Sequence, residues 1–113
     1  MTTEMSHREV APGKVLITLS GKIMMGAGGS EIVPLVEELL REGKRIIIFD
    51  ITGVKALDST GVGHFIVSFN KAAALGGEMR IAGATGHVFQ TFHVSLLDQI
   101  FPFFSTPEEA LAG

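Results

Sequence analysis

Asp58-Ser59-Thr60-Gly61 places a carboxylate, two hydroxyls and a glycine in four consecutive positions, directly ahead of an apolar stripe with helical spacing. Such a cluster at the start of a helix can do two simple things. It can cap the free N–H groups of the first turn, through Asp58 or Ser59. Beyond the carboxyl end of a strand in an open α/β sheet, it can also meet a ligand or a partner, because that is where such folds bind. Hydrolytic chemistry fits poorly. A hydrolase nucleophile elbow needs glycine two residues before the serine, where this chain has Leu57. An aspartic-protease site needs glycine two residues after the aspartate, where Thr60 stands. Ser59 as a nucleophile would also need a base, and none stands at a recognisable spacing, so no catalytic residue is assigned and the chain is read as no enzyme.

The other motifs with chemical potential also fail on spacing. Gly26-Ala27-Gly28-Gly29-Ser30 could cradle a phosphate ahead of a helix, but a G-x-G-x-x-G pattern requires glycine where Glu31 stands, and no G-K-[ST] follows. The stretch is read as a connection into a helix. His7, His64, His87 and His93 form no i, i+4 pair and no H-E-x-x-H, so no metal is assigned. No cofactor is implied. Leu97, Ile100, Phe101, Phe103 and Phe104 form a dense apolar cluster that reads as core.

The elements that must position the Ser59 cluster follow from periodicity. Val15, Ile17 and Leu19 alternate with Leu16, Thr18 and Ser20, which predicts a strand ended by Gly21. A piece from His7 to Ala11 can pair with it through a turn at Pro12-Gly13. Ser30 is a plausible cap for a helix in which Ile32, Leu35, Val36, Leu39 and Leu40 share a face, with Pro34 in its first turn and Gly43 closing it. Ile46-Ile47-Ile48-Phe49 lacks alternation and reads as a central strand buried on both faces. Val62, Phe65, Ile66, Phe69, Ala72 and Ala73 predict a second helix running to Leu75-Gly76-Gly77, followed by a strand through Met79 and Ile81. This βαβ unit makes the Ile46 and Met79 strands parallel neighbours. A third helix is expected from about His87 to His93. A short extended piece should follow at Ile100 to Phe103, which Pro102 keeps out of the sheet centre. A last helix should start at Thr106-Pro107-Glu108-Glu109. The fold class is α/β, a mixed sheet of four or five strands flanked by three or four helices.

Composition bounds the rest. The chain has 113 residues and 46% hydrophobic content, enough for one domain spanning 1–113 with a core of its own. It has no cysteine, which excludes disulfides and thiolate metal sites and agrees with a cytoplasmic location. Charges among the first twenty residues leave no apolar signal segment, and the longest apolar run near the middle is far below the roughly 20 residues of a membrane span. A net charge of −3 with scattered basic residues gives no footprint for nucleic acid.

From Val15 onward the chain resembles the STAS-domain family, in particular the bacterial anti-sigma factor antagonists. The resemblance rests on the N-terminal strand ending in glycine and on the apolar strand Ile46-Ile47-Ile48-Phe49-Asp50. It rests also on the block Leu57-Asp58-Ser59-Thr60-Gly61-Val62-Gly63, and on Gly76-Gly77-Glu78-Met79 opening the next strand. It implies a STAS-like fold and a partner-switching phosphoprotein of transcription regulation. In that family the serine matching Ser59 is phosphorylated by an anti-sigma factor that is itself a serine kinase of the GHKL type. Asp58, Ser59, Thr60, Gly61 and Val62 are then the partner-binding residues, with Gly61 admitting a close approach of the partner backbone. Where the family commonly reads Gly-Glu-[LI]-Asp after the first strand, this chain has Gly21-Lys22-Ile23-Met24. That departure leaves a second expectation open, a STAS subunit of a lipid-transport or signalling complex that binds constitutively without phosphorylation.

Overall fold

The computed structural model describes residues 3–26, 28–94 and 96–112, with Asp98 described in its backbone only. Ala27 of the glycine-rich connection, and residues 1, 2 and 113 of the span read as one domain, lie outside the described residues. In chain order the elements are β1 (Glu4–Ala11), β2 (Lys14–Ile23), α1 (Ile32–Arg41), β3 (Ile46–Leu57), α2 (Ser59–Ala74) and β4 (Glu78–Ala82). They are followed by α3 (Gly86–Val94), a 3-10 turn (Leu97–Gln99), β5 (Phe103–Phe104) and α4 (Pro107–Ala112). The described strands form one mixed sheet in the order β1-β2-β3-β4-β5. β1 and β2 are the antiparallel hairpin expected from Pro12-Gly13, and β2, β3, β4 and β5 run parallel.

The sheet is covered unequally. Val15, Ile17 and Leu19 of β2, Ile47 and Phe49 of β3 and Met79 and Ile81 of β4 form the main core with α1, α2 and α3. Leu16, Ile48 and Ala82 face the other way and meet Ala110 of α4. Ile46 to Phe49 is thus central, with Ile47, Ile48 and Phe49 buried from both sides as the unbroken apolar run predicts and Ile46 half-buried at its start. Of the C-terminal cluster, Leu97, Phe101 and Phe103 join the main core while Phe104 packs on the other face, and the rings meet edge-on: Phe49–Phe65 at 5.2 Å, Phe65–Phe92 at 5.6 Å and Phe92–Phe103 at 5.2 Å between ring centres. Phe101 is buried, whereas Ile100 is 55% exposed and stands apart from that packing. β5 is a two-residue edge strand at Phe103–Phe104, later than the extended piece expected from Ile100 to Phe103, because Ile100 still has helical backbone angles at the end of the 3-10 turn and Pro102 precedes the pairing. α4 is capped as its sequence predicts, Thr106 Oγ1 accepting from the Glu109 N–H at 3.2 Å. Lys14 Nζ and Arg80 Nη1 donate to its last carbonyls, at Leu111 and Ala110.

Three sequence expectations are corrected. Gly21 does not end β2: its φ of +90° sits at a register shift, after which Lys22 pairs with Ala56 and Ile23 with Leu57. A glycine in that conformation makes a bulge rather than a stop. Ser30 does not cap α1. Glu31 occupies the cap position in helical conformation with no capping bond from its side chain, and Ser30 Oγ donates to Glu31 Oε2 at 3.2 Å. On α2 the buried line is Val62, Phe65, Ser68 and Ala72, while Ile66 and Ala73 are exposed and Phe69 is half-buried. Ser68 is fully buried, and its Oγ has no hydrogen-bond partner among the described residues.

Candidate functional site

β3 delivers the chain to the carboxyl end of the sheet, and Asp58 is the only residue between it and α2. Its extended backbone (φ −118°, ψ −173°) turns its side chain back over the first turn, where Oδ1 accepts from the Gly61 N–H at 2.9 Å. Its carbonyl accepts from the Val62 N–H at 2.9 Å. Of the two capping candidates in the sequence, Asp58 is the cap. Its second oxygen is also engaged, Oδ2 accepting from the Met25 N–H at 3.0 Å. The N–H of Met25, and next that of Gly61, hold the Asp58 carboxyl below the usual aspartate range, against a smaller opposing effect of desolvation.

The five expected site residues divide by burial. Ser59 is exposed at the first position of α2, and its side chain makes no hydrogen bond among the described residues. Asp58 and Thr60 are half-buried. Gly61 and Val62 are buried, and Val62 packs in the main core. The expectation that Gly61 admits a partner backbone is corrected, because the space is filled from within. A Cβ there would run into the Ile23 carbonyl oxygen and Leu57 Cδ1. Gly61 lets the end of β2 cross close to the start of α2.

Sequence reasoning missed the loop from β2 to α1. It joins Thr60 and His64 in walling an open recess of about 270 Å³ with Met24, Met25 and Gly28. Met25 is 77% exposed at its mouth. Lys22 is exposed, and Met24 half-buried. The signal that could have exposed this link is the spacing of Asp58 and Gly61. An aspartate that caps three residues ahead keeps one oxygen for a second donor, and the neighbouring parallel strand ends within reach. Among the described residues no group of three His, Asp or Glu side chains stands where a metal could be held. No described helix is long and apolar enough to cross a membrane.

A family model described as STAS domain matches residues 6–110. No curated relative matches the sequence significantly. Among solved structures, the chain is similar to an anti-sigma factor antagonist from Mycobacterium paratuberculosis, at 18% identity with a TM-score of 0.85, over 98% of this chain and 92% of that one. It is similar to the phosphorylated form of the Bacillus cell fate determinant SpoIIAA, at 22% identity and a TM-score of 0.76, over 96% and 97% of the two chains. A sulfate transporter family protein from Wolinella succinogenes shares the fold at 15% identity and a TM-score of 0.72, over 93% of this chain and 87% of that one. At such identities the likeness establishes the mixed five-stranded architecture.

Proposed function

Since the chain belongs to the STAS-domain family, we propose that it is an anti-sigma factor antagonist, a cytoplasmic binding protein rather than an enzyme, switched by phosphorylation of Ser59. The partner is an anti-sigma factor that is also a GHKL-type serine kinase, and one STAS domain across residues 1–113 is part of the proposal. The observation that carries it is the division of labour at the start of α2. Asp58 caps the helix, so the exposed Ser59 hydroxyl has no structural task and is available to a kinase. Asp58, Ser59 and Thr60 make the contact edge, and Gly61 and Val62 set its height from beneath.

The switch is electrostatic. A phosphate on Ser59 adds about −1.5 to −2 charges next to Asp58, whose carboxyl is held ionised, so docking of a surface matched to the unmodified edge is opposed by repulsion and desolvation. Lys22 and Met24 favour a second reading. Without acids at those positions, the recess beside Thr60 is lined by methionines and fits constitutive binding within another STAS assembly, for lipid transport or signalling.

Retention of partners from native cell extract by wild type, Ser59→Ala and Ser59→Asp tests the proposal, with the mass of the wild-type protein followed after addition of ATP. The expected result is one kinase-fold protein retained by wild type and Ser59→Ala, lost from Ser59→Asp, and able to add a phosphate to Ser59. Equal retention by all three proteins with no mass change supports constitutive binding instead.

A further inference from the structure

β1 is an edge strand, and its outer side has no strand neighbour among the described residues. Its 8 residues exceed the roughly five or six of an average strand, and neither proline nor lysine interrupts them. The register irregularity that could twist the edge away lies at the far end, between Glu9 and Ala11. A strand alternates its backbone groups between its two sides, so half of the N–H and carbonyl groups of β1 face away from β2. Such a row is a template for another strand.

A run of like charges, lysine above all, would blunt the edge. β1 carries instead Glu4 and Arg8, opposite in sign, with Ser6 midway between them. They pair with Ser20, Leu16 and Thr18 of β2, and so share the sheet face of Leu16 and Ile48, away from α1 to α3. All three are exposed. Glu4 Oε1 takes only a long bond from Ser20 Oγ at 3.4 Å, and neither Glu4 nor Arg8 has an ion pair among the described residues. The third charge of the strand is already engaged, Glu9 accepting from the Gly13 N–H at 2.9 Å and from Lys44 Nζ at 3.3 Å.

We propose that β1 is a homodimerisation edge, on which a second copy of this chain adds its own β1 antiparallel about a two-fold axis through Ser6. A two-fold axis makes every contact reciprocal. Centred on Ser6, it sets Glu4 opposite the second copy's Arg8 at both ends of the pairing, with Met5 opposite His7. Centred on Met5 or His7, neither charge meets its opposite, and centred on Arg8 the two guanidinium groups face each other. An axis between two residues would set outward-facing backbone groups against inward-facing ones. Opposite charges directly across antiparallel strands stabilise and like charges destabilise, which selects the Ser6 register. The edge is complementary to itself, and the occupant it fits is therefore a copy of this chain. A short edge buries little area, so the dimer is a weak one that forms with rising concentration.

Sedimentation of the full chain across a range of concentrations tests it, with the mass expected to rise toward that of a dimer. Arg8→Glu should weaken association about tenfold or more, and Glu4→Arg added to it should restore association by exchanging the two charges. The chain has no cysteine, so Ser6→Cys introduces a single thiol. In the Ser6 register its Cα meets that of the second copy at about 4.5–5.5 Å, within disulfide range, whereas two His7→Cys positions would lie diagonally, about 7–8 Å apart. Mild oxidation should therefore cross-link Ser6→Cys about tenfold faster than His7→Cys, or more. Ser59→Asp should leave association unchanged, so this edge and the proposed switch fail separately. Three results overturn the proposal: a chain that stays monomeric at millimolar concentration, which would leave the edge to a strand of a different protein; a double variant that associates no better than Arg8→Glu; or equal cross-linking of the two cysteine variants.

Discussion

Two strand-to-helix junctions lie side by side at the carboxyl end of the sheet, and they are built in opposite ways. From β3 to α2 the chain uses Asp58 alone, which caps the helix and fixes the direction in which Ser59 is shown. From β2 to α1 it uses residues 24–31, enters the helix without a side-chain cap, and carries three glycines. The long junction is not independent of the short one, since the Met25 N–H is held by the second oxygen of Asp58. One carboxylate therefore holds both the first turn of α2 and the backbone of Met25. The short junction is held by its own cap, and the longer loop beside it is hung from that cap.

Glycine substitutions break this contrast most strongly. Gly61→Ala puts a methyl group into the Ile23 carbonyl and Leu57, where neither backbone nor core has room, and should cost about 3 kcal/mol in a urea titration. In the long junction, Gly26→Ala meets nothing within 4 Å among the described residues. It should cost about 1–2 kcal/mol, for its φ of +78° alone. Equal midpoints for the two variants would remove the contrast.

Asp58→Asn is expected to act next most strongly, and on both junctions together. Asparagine still caps, so α2 should persist, but the neutral amide accepts more weakly from Met25. The Met25 amide should lose exchange protection. Because the folded Asp58 pKa lies below its ordinary value of 3.8, its contribution to stability is present above about that pH and is lost as pH falls through the folded value. The stability difference between wild type and Asp58→Asn should thus shrink on acidification below pH 4, a comparison in which the similarly lowered Glu9 and Glu37 cancel. A difference independent of pH would show that the carboxylate charge is not what holds the loop.

Legibility in the sequence followed the same division. Ile46 to Phe49 and the Asp58 block were readable because a both-sided apolar run and a short capped start are local patterns. Gly21 misled because a glycine that ends a strand and one that bulges within it look alike until the partner strand is known. β3 extends to Leu57 and carries β2 onward with it. Ser30 misled because capping was inferred from residue type ahead of an apolar stripe, and the loop geometry gave the position to Glu31. The burial of Ser68 in place of Ile66 depends on which side α2 turns to its neighbours, which periodicity leaves free by one residue in four. The link from Asp58 to Met25 spans 33 residues and belongs to tertiary structure alone.

The smallest expected effect sharpens the comparison most. If Ser59 were the cap, Ser59→Ala would lower stability by roughly 0.5–2 kcal/mol. With Asp58 in that position, the exposed Ser59 side chain makes no hydrogen bond among the described residues, and Ser59→Ala should change stability by under about 0.5 kcal/mol. Ser30→Ala should be equally silent, because among the described residues its hydroxyl bonds only the exposed neighbour Glu31. The two serines then part in function: Ser59→Ala should prevent phosphorylation by a kinase partner, and Ser30→Ala should leave it intact. Thermal unfolding and intact mass after incubation with the retained partner and ATP read both properties on the same samples. A loss of stability for Ser59→Ala as large as a true cap would give the hydroxyl a structural task and remove the reason for regarding it as free. Silence in stability with loss of the phosphate would locate the switch in a hydroxyl that the fold itself does not need.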